Sequence, residues 1–303
     1  MPKSMKAMRQ DYKAAGIFYT PPALAKMLKR YVPFEPRDVY DPTCGQGNLL
    51  AVFPNDVPKF GQEISAEDLS VAEERLWHFT GYAGDTLTDD GFAGKMFHLI
   101  VANPPFSIKW TPNESDPRWS CAPCVPPPSK ADYAFILHIL SHLADDGVAI
   151  CLEFPGILYR GQREGRIREW MVENNYVERV VHVPGNTFED TGIATCILVL
   201  RKHRDSTDII FDDLEHELSR TVPLEEVIHN GCTLSVSTYV APDKTRELPD
   251  PETLREDAQA AAIRSITHSI EFEKALCEIE ERPLQPFLDR IKAVVSKYER
   301  GAL

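Results

Sequence analysis

Residues 99–106 of the chain read Leu99-Ile100-Val101-Ala102-Asn103-Pro104-Pro105-Phe106, an apolar run that passes directly into an Asn-Pro-Pro-Phe turn. Such a run is typical of a buried parallel strand, and the prolines end it because they cannot donate to a ladder. Asn103 is therefore predicted at the carboxyl edge of a sheet, where α/β folds bind their ligands. There the Asn103 amide oxygen and the Pro104 carbonyl would offer two acceptors beside the ring of Phe106, which suits the planar amino group of a nucleobase.

An exocyclic amine on adenine is a poor nucleophile because its lone pair is delocalised into the ring. Accepting both N–H bonds frees that lone pair for attack on a methyl group, and this needs positioning and electrostatic preorganisation rather than a strong base. The competing interpretation of the same residues is a strand end closed by a proline turn, with Phe106 in the core.

Acidic residues end three earlier predicted strands, in the order expected of one parallel sheet. Asp41 precedes a Gly45-Gln46-Gly47 loop that is predicted to open a helix, so backbone and helix N–H groups can approach a ligand. Glu63 ends the next strand, where a carboxylate can accept ribose hydroxyls, and Asp85 follows the third, where an ordinary turn aspartate is the alternative. The third glycine of a dinucleotide fingerprint is missing and Asp41 suits a cationic amino group, so the pattern favours S-adenosylmethionine.

The stretch Phe18-Tyr19-Thr20-Pro21 precedes an amphipathic helix. Thr20 is predicted as its N-cap and Pro21 as its first helical residue. The two aromatic residues could form one wall of a cofactor pocket, although a capped helix alone would explain the pattern. A short basic helix is also expected over residues 5–15.

Composition and charge argue against several classes of protein. The 303 residues carry a net charge of −13, of which −10 lies from Asp205 onward, so the first two thirds are close to neutral. Seven scattered cysteines argue against a disulfide framework, and no apolar run suits a membrane span or signal peptide, so a cytoplasmic protein without membrane contact is expected.

An arginine cluster could meet nucleic-acid phosphates or simply be a solvated helix start: Arg160, Arg163, Arg166 and Arg168.

The remaining segments complete the predicted sheet. Residues 107–129 are predicted to be a long substrate-facing loop, whose single Cys121-Ala-Pro-Cys124 has too few ligands for a structural zinc site. Strands at 177–183 and 194–200 are expected to close the sheet edge as a hairpin, and Leu234–Val240 is a last possible strand. His138 and His142 are interpreted as structural, so no metal is expected. Two helices are predicted, at 251–281 and 286–299.

Several segments resemble the modification subunit of type I restriction–modification systems, a family of N6-adenine DNA methyltransferases that use S-adenosylmethionine. The resemblance runs from about residue 16 to 240. It is carried by FYTPP, DPTCGQGNLL, GDTL and NPPF, then by DPRW, VPPPSKADYAFILHIL, GVAICLEFPGILYRG, REGRIREWMVENNYVERVVHVPGNTFEDTGIATCILVLRK and NGCTLSVSTYV. The segments after NPPF are the most specific, because NPPF also occurs in enzymes that methylate glutamine side chains or RNA guanine.

The resemblance implies a three-layer, Rossmann-like α/β fold whose seven-stranded, mostly parallel sheet contains one antiparallel strand, with a helical carboxyl-terminal tail. The expected divisions are residues 1–15, a catalytic domain at 16–240 and an acidic tail at 241–303, in a short form without the family's amino-terminal helical domain. The resemblance assigns catalysis on a flipped adenine to Asn103, Pro104, Pro105 and Phe106. The residues expected to line the cofactor are Phe18, Tyr19, Thr20, Asp41, Thr43, Gly45, Gly47, Asn48, Glu63 and Asp85.

The implied partners are double-stranded DNA, a separate specificity subunit that recognises the target and, in some systems, a restriction subunit. Two alternatives remain open at this point. One is a protein-glutamine or RNA N-methyltransferase that uses the same turn, and the other is a non-catalytic scaffold in a restriction or anti-restriction complex.

Overall fold

The computed structural model describes residues 20–185, 187, 194–241, 251–280 and 282–299. The chain divides into two compact units, one ending at Pro242 and one beginning at Asp243. The expected helix at 5–15 and the aromatic pair Phe18 and Tyr19 lie outside the described residues.

The first unit is built on a nine-stranded sheet in the order β3-β2-β1-β4-β5-β7-β6-β8-β9. Its strands are β1 (Val39–Asp41), β2 (Lys59–Glu63), β3 (Phe79–Ala83), β4 (Phe97–Ala102), β5 (Leu143–Glu153), β6 (Val177–Val183), β7 (Thr195–Leu200), β8 (Ile209–Asp213) and β9 (Leu218–Val222). Strand β7 runs antiparallel to both β5 and β6. The first seven strands therefore match the predicted sheet with its one antiparallel member, and the α/β fold class is confirmed.

Two late strands were not predicted. β8 pairs parallel to β6, and β9 returns antiparallel to β8, so these two strands form the edge. The prediction that β6 and β7 form an antiparallel hairpin is confirmed. The prediction that this hairpin closes the sheet edge is wrong, because β8 and β9 extend the sheet beyond β6. The predicted strand at 234–240 is also wrong, since Val236–Tyr239 forms one short helical turn.

Helices cover both faces of this sheet. They are α1 (Pro22–Lys29), α2 (Ala66–Arg75), α3 (Asp132–His142), α4 (Gln162–Glu173), α5 (Leu224–His229) and α6 (Val236–Tyr239). Side chains of β4 alternate between the faces: Leu99 and Val101 pack in the core with Leu24 and Leu28 of α1, whereas Ile100 packs in the core with residues of α3 and α4. This two-sided burial explains why the strand reads as a continuous apolar run.

Two local predictions near the amino-terminal end of the sheet are corrected. Pro21, not Thr20, occupies the N-cap position of α1, and no side chain caps that helix. The glycine loop opens a short 3-10 helix at Leu50–Val52 rather than an α-helix. The Thr20 hydroxyl is consequently available for another contact, described below.

The second unit contains α7 (Pro251–Ile279) and α8 (Gln285–Glu299), as the sequence predicted to within a few residues. Between these helices, Arg282 pairs with Glu273 at 2.7 Å and Glu280 at 2.5 Å. Within the described part of the chain, none of the helices has the combination of length and apolar character that crossing a bilayer requires.

Candidate functional site

A cavity of about 530 Å³ opens at the carboxyl edge of the parallel strands. β1 and β4 are adjacent and parallel, while the chain continues from β1 to β2 on one side and from β4 to β5 on the other. This is the topological switch point at which α/β sheets bind ligands. Asp41 ends β1 and Asn103 follows β4, and both side chains line the cavity.

Most of the predicted site residues meet at this cavity. Those that line it are Thr20, Asp41, Thr43, Gly45, Asn48, Glu63, Asp85, Asn103 and Pro105. Gly47, Pro104 and Phe106 are not among the lining residues. Pro104 is buried, and Phe106 is half-buried and packs against the part of the core that contains Leu24 and Leu28 of α1.

The Glu63 carboxylate is fixed by two backbone groups. Its Oε2 accepts from the Gly45 amide and its Oε1 from the Ser65 amide, both at 2.9 Å. Glu63 therefore joins the glycine loop to the end of β2. A carboxylate held in this way at a strand end can present its remaining lone pairs to hydroxyl groups of a ligand.

Asp41 is almost completely buried at the floor of the cavity, where its Oδ1 accepts from the Thr43 amide at 3.0 Å. Burial raises the pKa of Asp41 to about 8, and the nearby Glu63 charge contributes in the same direction. A buried acid with a raised pKa is costly to ionise, and an adjacent cation would reverse that cost. The position therefore favours a ligand with a positively charged group.

Thr20 contacts the predicted catalytic residue directly. Its Oγ1 accepts from Asn103 Nδ2 at 3.0 Å, and its carbonyl accepts from Asn48 Nδ2, also at 3.0 Å. Asn48 in turn accepts from Arg75 of α2 at 3.0 Å. The segment before α1, the glycine loop and the turn after β4 are thus connected by side-chain hydrogen bonds across the cavity.

Gly47 is explained by packing. Its φ of +78° is a conformation that residues with a side chain rarely adopt, and a Cβ atom there would lie 2.6 Å from Leu76 Cδ1. The glycine therefore allows the loop to approach α2 closely. The sequence pattern identified the residue but not this contact.

Several lining residues were missed by sequence reasoning. Ile64, an exposed apolar side chain, directly follows Glu63, and Leu87 lies two positions after Asp85, so adjacency to the predicted acids was the available signal. Phe135 comes from α3. Four more belong to the long loop that was predicted to face substrate: Ile108, Lys109, Trp110 and Thr111.

That loop is held in place by a buried arginine. Arg118 donates to the carbonyl oxygens of Thr86 and Leu87 at 2.6 and 2.9 Å. It also lies 2.9 Å from Nδ1 of His138, whose Nε2 is 3.0 Å from the Tyr40 hydroxyl. Burial lowers the pKa of His138 well below its ordinary range, so this histidine is a neutral member of an internal network.

The four arginines of the predicted cluster differ in their burial and partners. Arg168 is buried and donates to three backbone carbonyls, those of Ile157, Arg160 and Cys232. Arg160 pairs with Asp132 and Glu164. Arg163 and Arg166 are exposed, so only these two remain candidates for phosphate contact.

The cavity fits S-adenosylmethionine in size and charge. Its volume lies within the range of about 300–1,000 Å³ that small-molecule sites occupy. Among the described residues, the carboxyl side chains that line it are those of Asp41, Glu63, Asp68 and Asp85, and the basic side chain that lines it is that of Lys109. This acidic lining suits a molecule with a sulfonium and an ammonium group and disfavours a pyrophosphate.

The chain is similar to known proteins in both sequence and structure. The N-6 DNA Methylase family model matches residues 5–221. The MpnII methylase subunit of a type I restriction enzyme from Mycoplasma pneumoniae is 36% identical over 230 residues, which cover 66% of this chain and 42% of that protein. The HindI methylase subunit from Haemophilus influenzae is 28% identical over 223 residues, covering 66% of this chain and 50% of that protein.

Among solved structures, the type I restriction-modification methyltransferase subunit from Streptococcus thermophilus matches with a TM-score of 0.66 and 29% identity. The match covers 74% of this chain and 59% of that one. The alignments with the two curated relatives span at most half of their length.

Proposed function

Because the chain belongs to the N-6 DNA methylase family, which matches residues 5–221, we propose that it transfers a methyl group from S-adenosylmethionine to N6 of adenine in DNA. The observation that carries the proposal is the shared cavity. Asn103, which follows β4, and the acidic residues that end or follow β1, β2 and β3 line one volume of about 530 Å³. A donor bound by the acids would therefore face the Asn103 side chain.

Asp41, Glu63 and Asp85 are the residues proposed to hold the cofactor. Glu63 is oriented by the Gly45 and Ser65 amides to accept ribose hydroxyls. Asp41 would become ionised beside the cationic amino-acid end. When bound, S-adenosylmethionine supplies an electrophilic methyl group on its sulfonium.

Asn103 and Pro104 are proposed to accept the two N–H bonds of a flipped adenine through their side-chain and backbone oxygens, with Phe106 beside the base. Extrusion is needed because the amino group cannot be reached squarely within the stack. With the cofactor bound, N6 would take the methyl group as the thioether leaves, and one N6 proton would pass to solvent. Hydrogen bonds that strengthen as the nitrogen becomes tetrahedral would stabilise the transition state.

DNA recognition is proposed to require a specificity subunit. The chain carries a net charge of −13, and unaided binding to phosphates normally needs a basic surface. Both curated relatives are named as subunits of type I restriction enzymes. Exposed apolar side chains on α7, including Ile263, Ile266 and Phe272, are candidates for contact with such a partner.

The test is transfer of label from tritiated S-adenosylmethionine to DNA, RNA and protein, with and without a specificity subunit from the same host. We expect label in DNA as N6-methyladenine. Label in RNA or in a glutamine side chain would support the alternative substrates. If the protein binds the cofactor and labels no DNA under any of these conditions, the proposed function is wrong.

A further inference from the structure

A buried network of charged side chains lies directly behind the Asn103–Phe106 turn. Ser107, the next residue, has a left-handed backbone with a φ of +54°. Its amide donates to Asp132 Oδ1 at 2.8 Å, and Asp132 is only 1% exposed. Because the left-handed region is unfavourable for a residue with a side chain, an interaction is needed to hold Ser107 in it.

Arg160 completes the network. Its Nη1 lies 3.3 Å from Asp132 Oδ2 and 3.2 Å from Glu164 Oε1. Its Nη2 donates to the Ser107 hydroxyl at 3.1 Å. A buried carboxylate is costly without a paired cation, so Arg160 both compensates Asp132 and contacts the same serine.

Gly156 provides the space for this guanidinium. A Cβ atom at position 156 would lie 2.5 Å from both Nε and Nη2 of Arg160. The glycine belongs to the short 3-10 helix Pro155–Leu158, and it is not among the residues that line the cavity. Substitution there would displace the end of a flexible side chain rather than backbone.

The turn is consequently anchored at both ends. Before it, Ala102 pairs with Cys151 in the β4–β5 ladder. After it, Ser107 is held by Asp132, and the Ile108 carbonyl accepts from the Ala131 amide at 2.9 Å. The start of α3 therefore fixes both the turn and the first residue of the cavity-lining segment at 108–111.

We propose that Asp132 and Arg160 are positioning residues, which set the geometry of the Asn103–Phe106 turn through Ser107 without touching cofactor or base. The effect on turnover rests on the proposed function. Displacement of a reacting group by about 1 Å can cost about 100-fold in rate, so loss of this second anchor should lower kcat while the acids that bind the cofactor remain in place.

The test compares Asp132→Ala, Asp132→Asn and Gly156→Ala with wild type in the full chain. Asp212→Ala is the matched control, because Asp212 is also largely buried and pairs with an arginine, Arg179, away from the turn. For each protein we would measure amide hydrogen exchange over residues 103–111 and the dissociation constant for S-adenosylmethionine. We would also measure kcat for DNA methylation in the presence of a specificity subunit from the same host.

We expect Asp132→Ala to accelerate exchange over 103–111 and to lower kcat about 100-fold, with cofactor affinity changed less than about threefold. Asp132→Asn retains an acceptor for the Ser107 amide and should recover part of both losses. Gly156→Ala should lower kcat about tenfold, because the added Cβ atom displaces the Arg160 guanidinium from Asp132 and Ser107. Asp212→Ala should change neither exchange over 103–111 nor kcat.

The proposal is overturned if Asp132→Ala and Gly156→Ala leave exchange over 103–111 at the wild-type rate. It is equally overturned if they lower kcat no more than Asp212→Ala does. A wild-type protein that binds cofactor but methylates no DNA even with a specificity subunit from the same host would refute the proposed function instead. The exchange measurement would then decide the positioning role by itself.

Discussion

The Asn103 side-chain amide donates to the Thr20 hydroxyl oxygen at 3.0 Å, although the two residues are 83 positions apart in the chain. Because Nδ2 is the atom that bonds Thr20, this contact sets the rotation of the amide and hence the direction of Oδ1. Thr20 is itself largely buried, and its carbonyl is bonded by Asn48. The residue before α1 is therefore part of the catalytic geometry that we propose.

Replacing Thr20 by Val should lower the rate of methyl transfer. The substitution keeps the shape of the side chain but removes the acceptor, and a net hydrogen bond of about 1 kcal/mol corresponds to a rate change of about five- to tenfold. Thr20→Ser retains the hydroxyl and should stay within about twofold of wild type. Single-turnover kinetics on methylatable DNA would measure this, and equal rates for the Val and Ser variants would contradict the orienting role.

Replacing Glu63 by Gln should weaken cofactor binding. The carboxylate accepts from two backbone amides, and a Gln side chain can satisfy only one of them, because its NH₂ group is a donor. We expect the dissociation constant to rise at least about tenfold, from the loss of a charged acceptor. Isothermal titration calorimetry measures it, with exposed Glu67→Gln as the control. An unchanged affinity in Glu63→Gln would refute the assignment.

Replacing Asp41 by Asn should stabilise the ligand-free protein, and more so at higher pH. The folded-state pKa of about 8 exceeds the unfolded value of about 3.9. The proton on Asp41 therefore contributes stability that is complete below the unfolded pKa and is lost as the pH rises through 8.

Thermal unfolding from pH 5 to 9 tests this prediction. The advantage of Asp41→Asn over wild type should grow by at least about 1 kcal/mol between pH 5 and 8 and then level off. The exposed Asp56→Asn serves as the control and should show no such trend. An advantage that is independent of pH would mean that Asp41 is ionised in the folded protein.

Replacing Gly47 by Ala should destabilise the fold through a contact outside the cavity. Two energetic costs are expected. One is the strain of a residue with a side chain at a φ of +78°, and the other is the overlap of the new Cβ atom with Leu76. Gly94 has a φ of +77° but open space around it, so Gly94→Ala measures the backbone cost alone, about 1–2 kcal/mol. Chemical denaturation should show Gly47→Ala to be less stable than Gly94→Ala by about 1–3 kcal/mol. Equal losses of stability in Gly47→Ala and Gly94→Ala would exclude a cost from the overlap.

The sequence predicted the strand ends well because the signals are local. The apolar run before Asn103 and the two prolines after it determine where β4 ends, whatever the rest of the chain does. The acids at 41, 63 and 85 follow strands in the same way, and parallel strands bring them to one edge. Their order therefore indicated the cavity before any distances were known.

Long-range contacts could not be predicted from such signals. Thr20 has the sequence character of an N-cap, yet its hydroxyl bonds Asn103. Arg160 resembles a surface cation, yet it pairs with the buried Asp132. Strands β8 and β9 extend the sheet beyond β6. Gly47 is needed because the Leu76 side chain leaves no room for a Cβ atom at that position. Each outcome depends on which residues the tertiary fold brings together.

The proposed function requires that one cavity holds the methyl donor opposite Asn103. The sharpest test of this arrangement compares Asn103→Ala with wild type in two measurements. One is calorimetric titration of S-adenosylmethionine, and the other is single-turnover methylation of DNA in the presence of a specificity subunit. For Asn103→Ala we expect a dissociation constant within about threefold of wild type and a transfer rate at least about 100-fold lower. Equal losses of affinity and rate, or an unchanged transfer rate, would contradict it.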